Sequence, residues 1–191
     1  MPDGVQSSAT PPRLRLAEIL GALSHALDMV EGQPIGHCVR CCWIAWHVGD
    51  EIGLDDAQLS ELYYTVLLKD LGCSSNAARI CKLFLADDLT FKHDIKTFDG
   101  SLPEALRFVL PIPAYRPGSR SGSTVVKVFL KSGEISRELV ETRCHRGADI
   151  ARQMRFPEPV AEGIQNLDEH WDGGGQPLGL MGTAIPIYAR I

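Results

Sequence analysis

The residues of this chain best suited to chemistry lie near its C-terminus. The run Asp168–Asp172 holds three carboxylates and one imidazole, and the glycine-rich turn Gly173–Pro177 follows it directly. Carboxylate oxygens and neutral imidazole are ligands for divalent metal ions, and such ions bind phosphate oxygens and make water nucleophilic near neutral pH. These residue types are therefore compatible with metal-assisted hydrolysis of a phosphate ester.

Three stretches upstream carry further side chains that could bind a metal or a phosphate. They are Gly36–Arg40 with His37, Leu67–Gly72 with Lys69 and Asp70, and Arg143–Ile150 with His145 and Arg146. Each has a plain structural interpretation when it is taken singly. A histidine at a helix start is more often a surface or capping residue, and a Lys-Asp pair or an arginine is often solvated.

Taken in order, the four stretches resemble the signature of the HD-GYP family, the cyclic-dinucleotide branch of the HD metal-dependent phosphohydrolases. His37, three residues before Arg40, resembles the histidine that opens a helix in that family. Lys69-Asp70 resembles the HD dyad, with lysine where the family has histidine. The segment Arg143–Ile150 resembles the family's histidine followed by small residues and an aliphatic one.

The fourth stretch resembles the family's segment of two adjacent histidines, glutamate, two variable positions, aspartate and glycine. Leu167-Asp168 stands where the family has the histidine pair, while Glu169 and Asp172-Gly173 are kept. Gly175-Gln176-Pro177 stands where the family has Gly-Tyr-Pro. The glycine and proline that form the turn therefore remain, and the aromatic side chain between them is replaced.

The resemblance implies a metal centre and a role for each candidate residue. Asp70 would bridge metal ions or orient the attacking water, and Lys69 and Arg146 would bind the substrate and stabilise charge on its phosphate oxygens. His170 lies three residues after Leu167, so on a helix it would project from nearly the same face and replace it as a ligand. The implied cofactor is one or two ions of manganese, iron or zinc. The implied ligands are His37, Asp70, His145 and Asp168, and the helical spacing alone adds His170 as a substitute ligand.

Two functions follow from this resemblance. The first is a metal-dependent phosphodiesterase that acts on a cyclic dinucleotide or a related phosphodiester in signalling. The second is a catalytically degenerate HD-GYP module that binds a nucleotide or a partner as a regulatory domain, because a helical fold can outlast the loss of its ligands. A helical dimerisation or scaffold domain with coincidental motifs is the plainest alternative.

The elements that must position these residues are helices, because apolar residues recur at three- and four-residue spacing along most of the chain. In the second helix we expect Val39, Trp43, Trp46 and Ile52 to face a core. The predicted fold class is all-α, an HD-domain-like helical bundle over residues 13–191 after a disordered leader over 1–12. We expect the C-terminal part of the family domain, with its last aspartate ligand, to lie beyond Ile191. Helices are predicted from Pro12, over 36–52, 57–71, 76–85, 103–110, 125–130, 134–154 and 158–171, and from Ile185-Pro186.

The net charge of -5 argues against general binding to nucleic acid or to a membrane surface, both of which favour a basic field. No apolar run approaches the ~20 residues that cross a bilayer, and the N-terminus lacks a secretory signal, so we predict a cytoplasmic protein. The six cysteines are expected to be small buried side chains, with a zinc knuckle at Cys38–Cys41 as the alternative. The expected partner is a phosphodiester or nucleotide small molecule, with no membrane and no direct nucleic-acid binding. A homodimer is left open.

Overall fold

The computed structural model describes residues 15–76 and 132–191, with side chains from residue 137 onward in the second stretch. The leader predicted for residues 1–12 and the elements predicted between residues 77 and 131 lie outside the described residues. The described α-helices are α1 (Leu16–Val30), α2 (His37–Glu51), α3 (Asp56–Leu67), α4 (Ser132–Gln153), α5 (Glu158–Gln165) and α6 (Ile187–Arg190). Short 3-10 helices span Cys73–Asn76 and Gly182–Ala184.

These two stretches contain no strand, which confirms the all-α prediction. Within them, no helix combines the length and the hydropathy that a membrane span requires.

One core cluster joins α1, α3, α4 and α5. Each buried leucine or isoleucine in such a cluster stabilises the fold by about 1.5–3 kcal/mol relative to an exposed one. The cluster fixes the end of α3 beside α4 and α5, where most of the candidate site residues lie. Its fully buried members include Leu20, Leu67, Leu68, Ala148, Ala151, Val160 and Ala161.

The face that α2 turns to the core differs from the one predicted. Val39, Trp43, Trp46 and Ile52 are all exposed in the described part of the molecule. The buried face consists of small residues instead, namely Cys38, Cys42, Ala45 and Gly49. A Cβ atom on Gly49 would lie 2.8 Å from Leu62 Cδ2, so these small residues let α2 approach α3 closely. The larger apolar residues of α2 point away from this contact.

Helix ends also differ from those predicted, and the differences concern the site directly. Asp55 caps α3 as predicted, because its side chain accepts a hydrogen bond from the Gln58 backbone. The helix ends at Leu67, so Lys69 and Asp70 lie in the following turn.

Two glycines form the close crossing that brings this turn onto α4. A Cβ atom on Gly72 would collide with the Arg143 carbonyl and lie 2.9 Å from the Gly147 nitrogen. A Cβ atom on Gly147 would lie 2.9 Å from Ile164 Cγ2 and 3.3 Å from the Gly72 nitrogen. Glycine in a helix interior costs about 1 kcal/mol relative to alanine, and the close approach explains why Gly147 is tolerated in α4. The crossing places Asp70 and Arg143 on the walls of one cavity.

Candidate functional site

A cavity of about 240 Å³ opens where the turn after α3 meets α4 and the segment following α5. Its polar walls carry two carboxylates, two cationic side chains and two thiols, and Ile164 and Leu167 supply apolar surface. The residues that line it are Lys69, Asp70, Gly72, Cys73, Arg143, Cys144, Ile164, Leu167 and Asp168.

The Asp70 carboxylate is held by three side chains. Lys69 Nζ donates a hydrogen bond to Asp70 Oδ2 and forms an ion pair with it. Cys38 Sγ donates to the same oxygen at 3.4 Å, and Cys73 Sγ donates to Oδ1 at 3.7 Å. The two carboxylate oxygens therefore have different surroundings. Oδ2 contacts the Lys69 ammonium and the Cys38 thiol, whereas Oδ1 contacts the Cys73 thiol.

Lys69 stays cationic in this setting. Burial alone would lower the pKa of its ammonium, but the charge of Asp70 and the hydrogen bond to it outweigh burial and raise that pKa above its usual value. In the structure Lys69 is thus paired with Asp70. A protonated ammonium cannot ligate a metal, so Lys69 acts here as a fixed positive charge.

The Asp168 carboxylate is held in a parallel way on the other wall. Arg143 donates from Nε to Asp168 Oδ2 at 3.0 Å and from Nη2 to Oδ1, which is the bidentate geometry that guanidinium favours. Cys144 Sγ donates to Oδ2 at 3.3 Å. Burial works against the charged form of Arg143, but the contact with Asp168 raises its pKa overall.

Two of the thiols at these carboxylates, Cys38 and Cys144, are protonated donors. Burial and the neighbouring Asp28 carboxylate raise the pKa of Cys38 well above its usual value. Burial and Asp168 raise the pKa of Cys144 to about 12. These two buried thiols are therefore hydrogen-bond donors rather than nucleophiles at neutral pH.

The glycine-rich turn after α5 is organised by Glu169 and Asp172. The buried Glu169 carboxylate accepts backbone hydrogen bonds from Leu178 at 2.6 Å, Gly179 at 3.1 Å and Leu180 at 2.8 Å. Asp172 Oδ1 accepts one from the Gly174 nitrogen at 2.9 Å, as expected for a residue that orders this turn. Of the three carboxylates in this run, Asp168 thus lines the cavity, whereas Glu169 and Asp172 accept hydrogen bonds from the backbone of the turn.

Glu169→Gln tests this role of the buried carboxylate. The substitution removes the negative charge from three hydrogen bonds and turns an amide donor toward backbone N–H groups. We expect the free energy of unfolding to fall by about 2–3 kcal/mol, as measured by urea denaturation. Glu51→Gln, at the exposed end of α2, should change it by less than about 0.5 kcal/mol. An equal, small effect of both substitutions would contradict the role of Glu169.

The structure brings together some of the predicted site residues and not others. Lys69, Asp70 and Asp168 line the cavity. His37 opens α2 as predicted, half-buried, with Nε2 3.6 Å from Cys41 Sγ. His145 lies on the exposed side of α4, with Nε2 3.9 Å from Glu141 Oε1. Arg146 and His170 are exposed, and neither is among the residues that line the cavity.

The helix predicted to carry His170 ends at Gln165, so Asp168 and His170 lie in the irregular segment after it. The helical spacing that would place His170 beside Leu167 is therefore absent. The metal-binding roles of His37, His145 and His170 stay predictions.

Sequence reasoning gave no defined role to several residues that the geometry brings to the site. Arg143 is a cavity cation, and Cys73 and Cys144 are cavity thiols. Among the described residues, one trio can offer ligand atoms that all lie within 4.8 Å of one another, and it consists of Glu31, Asp70 and Cys73. Two carboxylates and a thiol fit a divalent ion of borderline softness, such as zinc or iron. No sequence motif marks this trio, since Glu31 lies far along the chain from Asp70 and Cys73.

Comparison with known proteins agrees with this architecture. A family model described as an HD domain matches residues 125–191. The chain is 47% identical over 181 residues to 3'3'-cGAMP-specific phosphodiesterase 3 of Vibrio cholerae serotype O1, covering 92% of this chain and 38% of that protein. It is also similar to the crystal structure of a cyclic GMP-AMP-specific phosphodiesterase of V. cholerae, with a TM-score of 0.62 and 39% identity over 92% of this chain and 38% of the other. The chain thus spans 38% of the length of each relative.

Proposed function

Because this chain belongs to the HD-domain family of phosphohydrolases, we propose that it acts in the metal-dependent hydrolysis of a cyclic dinucleotide. The observation that carries the proposal is the 47% identity over 181 residues to a phosphodiesterase specific for 3'3'-cGAMP. The reaction adds water across one phosphodiester bond, so the ring opens to a linear dinucleotide with a terminal phosphate.

The cavity supports this proposal through its charge and its size. Lys69 and Arg143 place an ammonium and a guanidinium on its walls, and both groups suit the non-bridging oxygens of a phosphodiester. Ligand pockets for drug-sized molecules enclose roughly 300–1,000 Å³, and the cavity encloses about 240 Å³. It therefore suits one phosphodiester linkage with part of its ribose, while the bases lie outside.

The chain's own residues would prepare the phosphate for attack. A divalent ion, when bound, supplies Lewis-acid stabilisation of a phosphoryl oxygen and makes water more nucleophilic. Asp70 lies between Lys69 and Cys73 and can orient a water through its carboxylate. Arg143 is held in place by both Asp168 oxygens, so it meets the substrate as a positioned donor.

A hydrolysis assay tests the proposal. The purified chain is incubated with 3'3'-cGAMP and manganese, ferrous or zinc ions, and products are separated by liquid chromatography. We expect a linear dinucleotide with at least one of these ions and its loss after chelation with EDTA. Absence of product with all three ions would contradict hydrolysis by this chain.

A second candidate function is a nucleotide-binding module that has lost catalysis. It is favoured by the ion pairs at both cavity carboxylates and by the absence of His37, His145 and His170 from the cavity lining. In that case Lys69 and Arg143 would bind the phosphate without a metal ion. This function predicts binding of 3'3'-cGAMP that is unchanged by EDTA and is followed by no product.

The location and assembly of the chain are also proposals. None of the five cysteines in the described residues forms a disulfide, which supports a reducing compartment such as the cytoplasm. The exposed apolar residues Val39, Trp43 and Ile44 on α2 support a homodimer. Sedimentation velocity should then show a dimer that Trp43→Glu converts to monomer. A monomeric wild-type chain would contradict the assembly.

A further inference from the structure

The trio Glu31, Asp70 and Cys73 is assembled from two parts of the fold, the end of α1 and the turn that follows α3. Glu31 directly follows α1, Asp70 lies in the turn after α3, and Cys73 begins the 3-10 helix Cys73–Asn76. Each residue offers one ligand atom, and these atoms lie within 4.8 Å of one another. Ligands bound to one ion at about 2.0–2.3 Å lie within this separation, so small side-chain adjustments can close the site.

The two oxygens of Asp70 are already divided between different partners. Lys69 Nζ and Cys38 Sγ both contact Oδ2, whereas Cys73 Sγ contacts Oδ1 at 3.7 Å. Oδ1 and the Cys73 sulfur therefore face each other on the side away from the ammonium. A metal ion between them would replace the thiol proton, which is released to solvent on binding.

A further buried carboxylate, Asp28, lies close to the trio. Cys38 links Asp70 to a further carboxylate, because its backbone nitrogen donates to Asp28 Oδ1 at 3.1 Å. Asp28 is 1% exposed, and its Oδ2 lacks a hydrogen-bond partner among the described residues. Contacts with Cys38 and His37 already stabilise this buried charge, and a cation bound nearby would stabilise it further.

We propose that Glu31, Asp70 through Oδ1, and Cys73 bind a single divalent ion of borderline softness, such as zinc or cobalt, and that Lys69 limits its affinity. Three protein ligands leave one position of a tetrahedral site for water or substrate. The Lys69 ammonium at Oδ2 offsets part of the negative charge of the Asp70 carboxylate. It also repels the metal ion, because both are cations. This ligand set differs from the imidazole-rich set that the sequence suggested, and it holds whether or not the chain hydrolyses a nucleotide.

Cobalt(II) is the probe that tests the inference, because cobalt bound to thiolate has a near-ultraviolet charge-transfer band that cobalt bound only to oxygen or nitrogen lacks. Titration of the purified chain with cobalt chloride should develop this band to one equivalent, and zinc should displace it. Cys73→Ser should abolish the band, and Glu31→Gln should weaken binding by roughly tenfold or more. Lys69→Met should strengthen binding by roughly tenfold.

Cys144→Ser is the matched control, since this thiol lies in the same cavity but at Asp168. It should leave the band and the affinity as in the wild type, and circular dichroism should show that each variant is folded. A wild-type chain without the band would overturn the inference. So would a band that survives Cys73→Ser, or equal affinity in Lys69→Met and the wild type.

Discussion

Asp70→Asn is expected to reduce the proposed hydrolysis of 3'3'-cGAMP by at least roughly 100-fold. Replacing a residue that only supports a metal ligand typically costs about 10–100-fold in metal affinity or activity, so loss of a ligand should cost no less. The amide keeps the size of the side chain and can still accept from Lys69 Nζ, so the cavity should keep its shape. The initial rate of linear product, at saturating metal, is the measurement.

Asp149→Asn is the matched control for this substitution. Asp149 is exposed on α4, where it lies 3.6 Å from Arg152, and it does not line the cavity. Its replacement should leave the rate within about twofold of the wild type, because exposed ion pairs contribute little. Equal rates for Asp70→Asn and the wild type would remove Asp70 from the reaction.

Gly72→Ala should cause the largest loss of stability. The added methyl group would collide with the Arg143 carbonyl, so the turn after α3 and α4 must move apart. Overpacking of this kind costs about 1–3 kcal/mol, and we expect the upper end because the obstacle is backbone. Urea denaturation measures the free energy of unfolding.

Gly21→Ala provides the opposite expectation within the same chain. Gly21 lies inside α1, and a Cβ atom there would meet nothing within 4 Å. The substitution should therefore stabilise the chain by about 0.5–1 kcal/mol, through helix propensity alone. An equal change in the free energy of unfolding for both alanine substitutions would contradict the close crossing at Gly72 and Gly147.

The helical class followed from the sequence because apolar periodicity is a local property. The buried face of α2 could not be predicted in this way. A hydropathy pattern assigns the large apolar residues Trp43 and Trp46 to the core, whatever space the neighbouring helix leaves. In the structure the small residues Cys42, Ala45 and Gly49 decide the packing, since they allow α3 to come close. Which neighbour approaches a helix, and how closely, depends on the whole fold.

The site could be predicted only in part for a similar reason. Lys69, Asp70 and Asp168 were found because they stand at positions of a known motif, and all three line the cavity. Arg143 was given no role of its own, since nothing in its local sequence says that it reaches a carboxylate 25 positions away. The early end of α5 also removed the spacing argument for His170. Such pairings depend on the crossing of α4 with the turn after α3.

The central claim is that the cavity between these elements receives the phosphodiester. Its most direct test is calorimetric titration of a non-hydrolysable phosphorothioate analogue of 3'3'-cGAMP into the wild type and two tryptophan variants. Leu167→Trp fills the cavity from its apolar wall, whereas Leu178→Trp adds the same side chain at an exposed position outside it. We predict one-to-one binding by the wild type and by Leu178→Trp, and binding at least about tenfold weaker, or 1.4 kcal/mol, for Leu167→Trp. Wild-type affinity in Leu167→Trp, or no binding by the wild type, would contradict the claim.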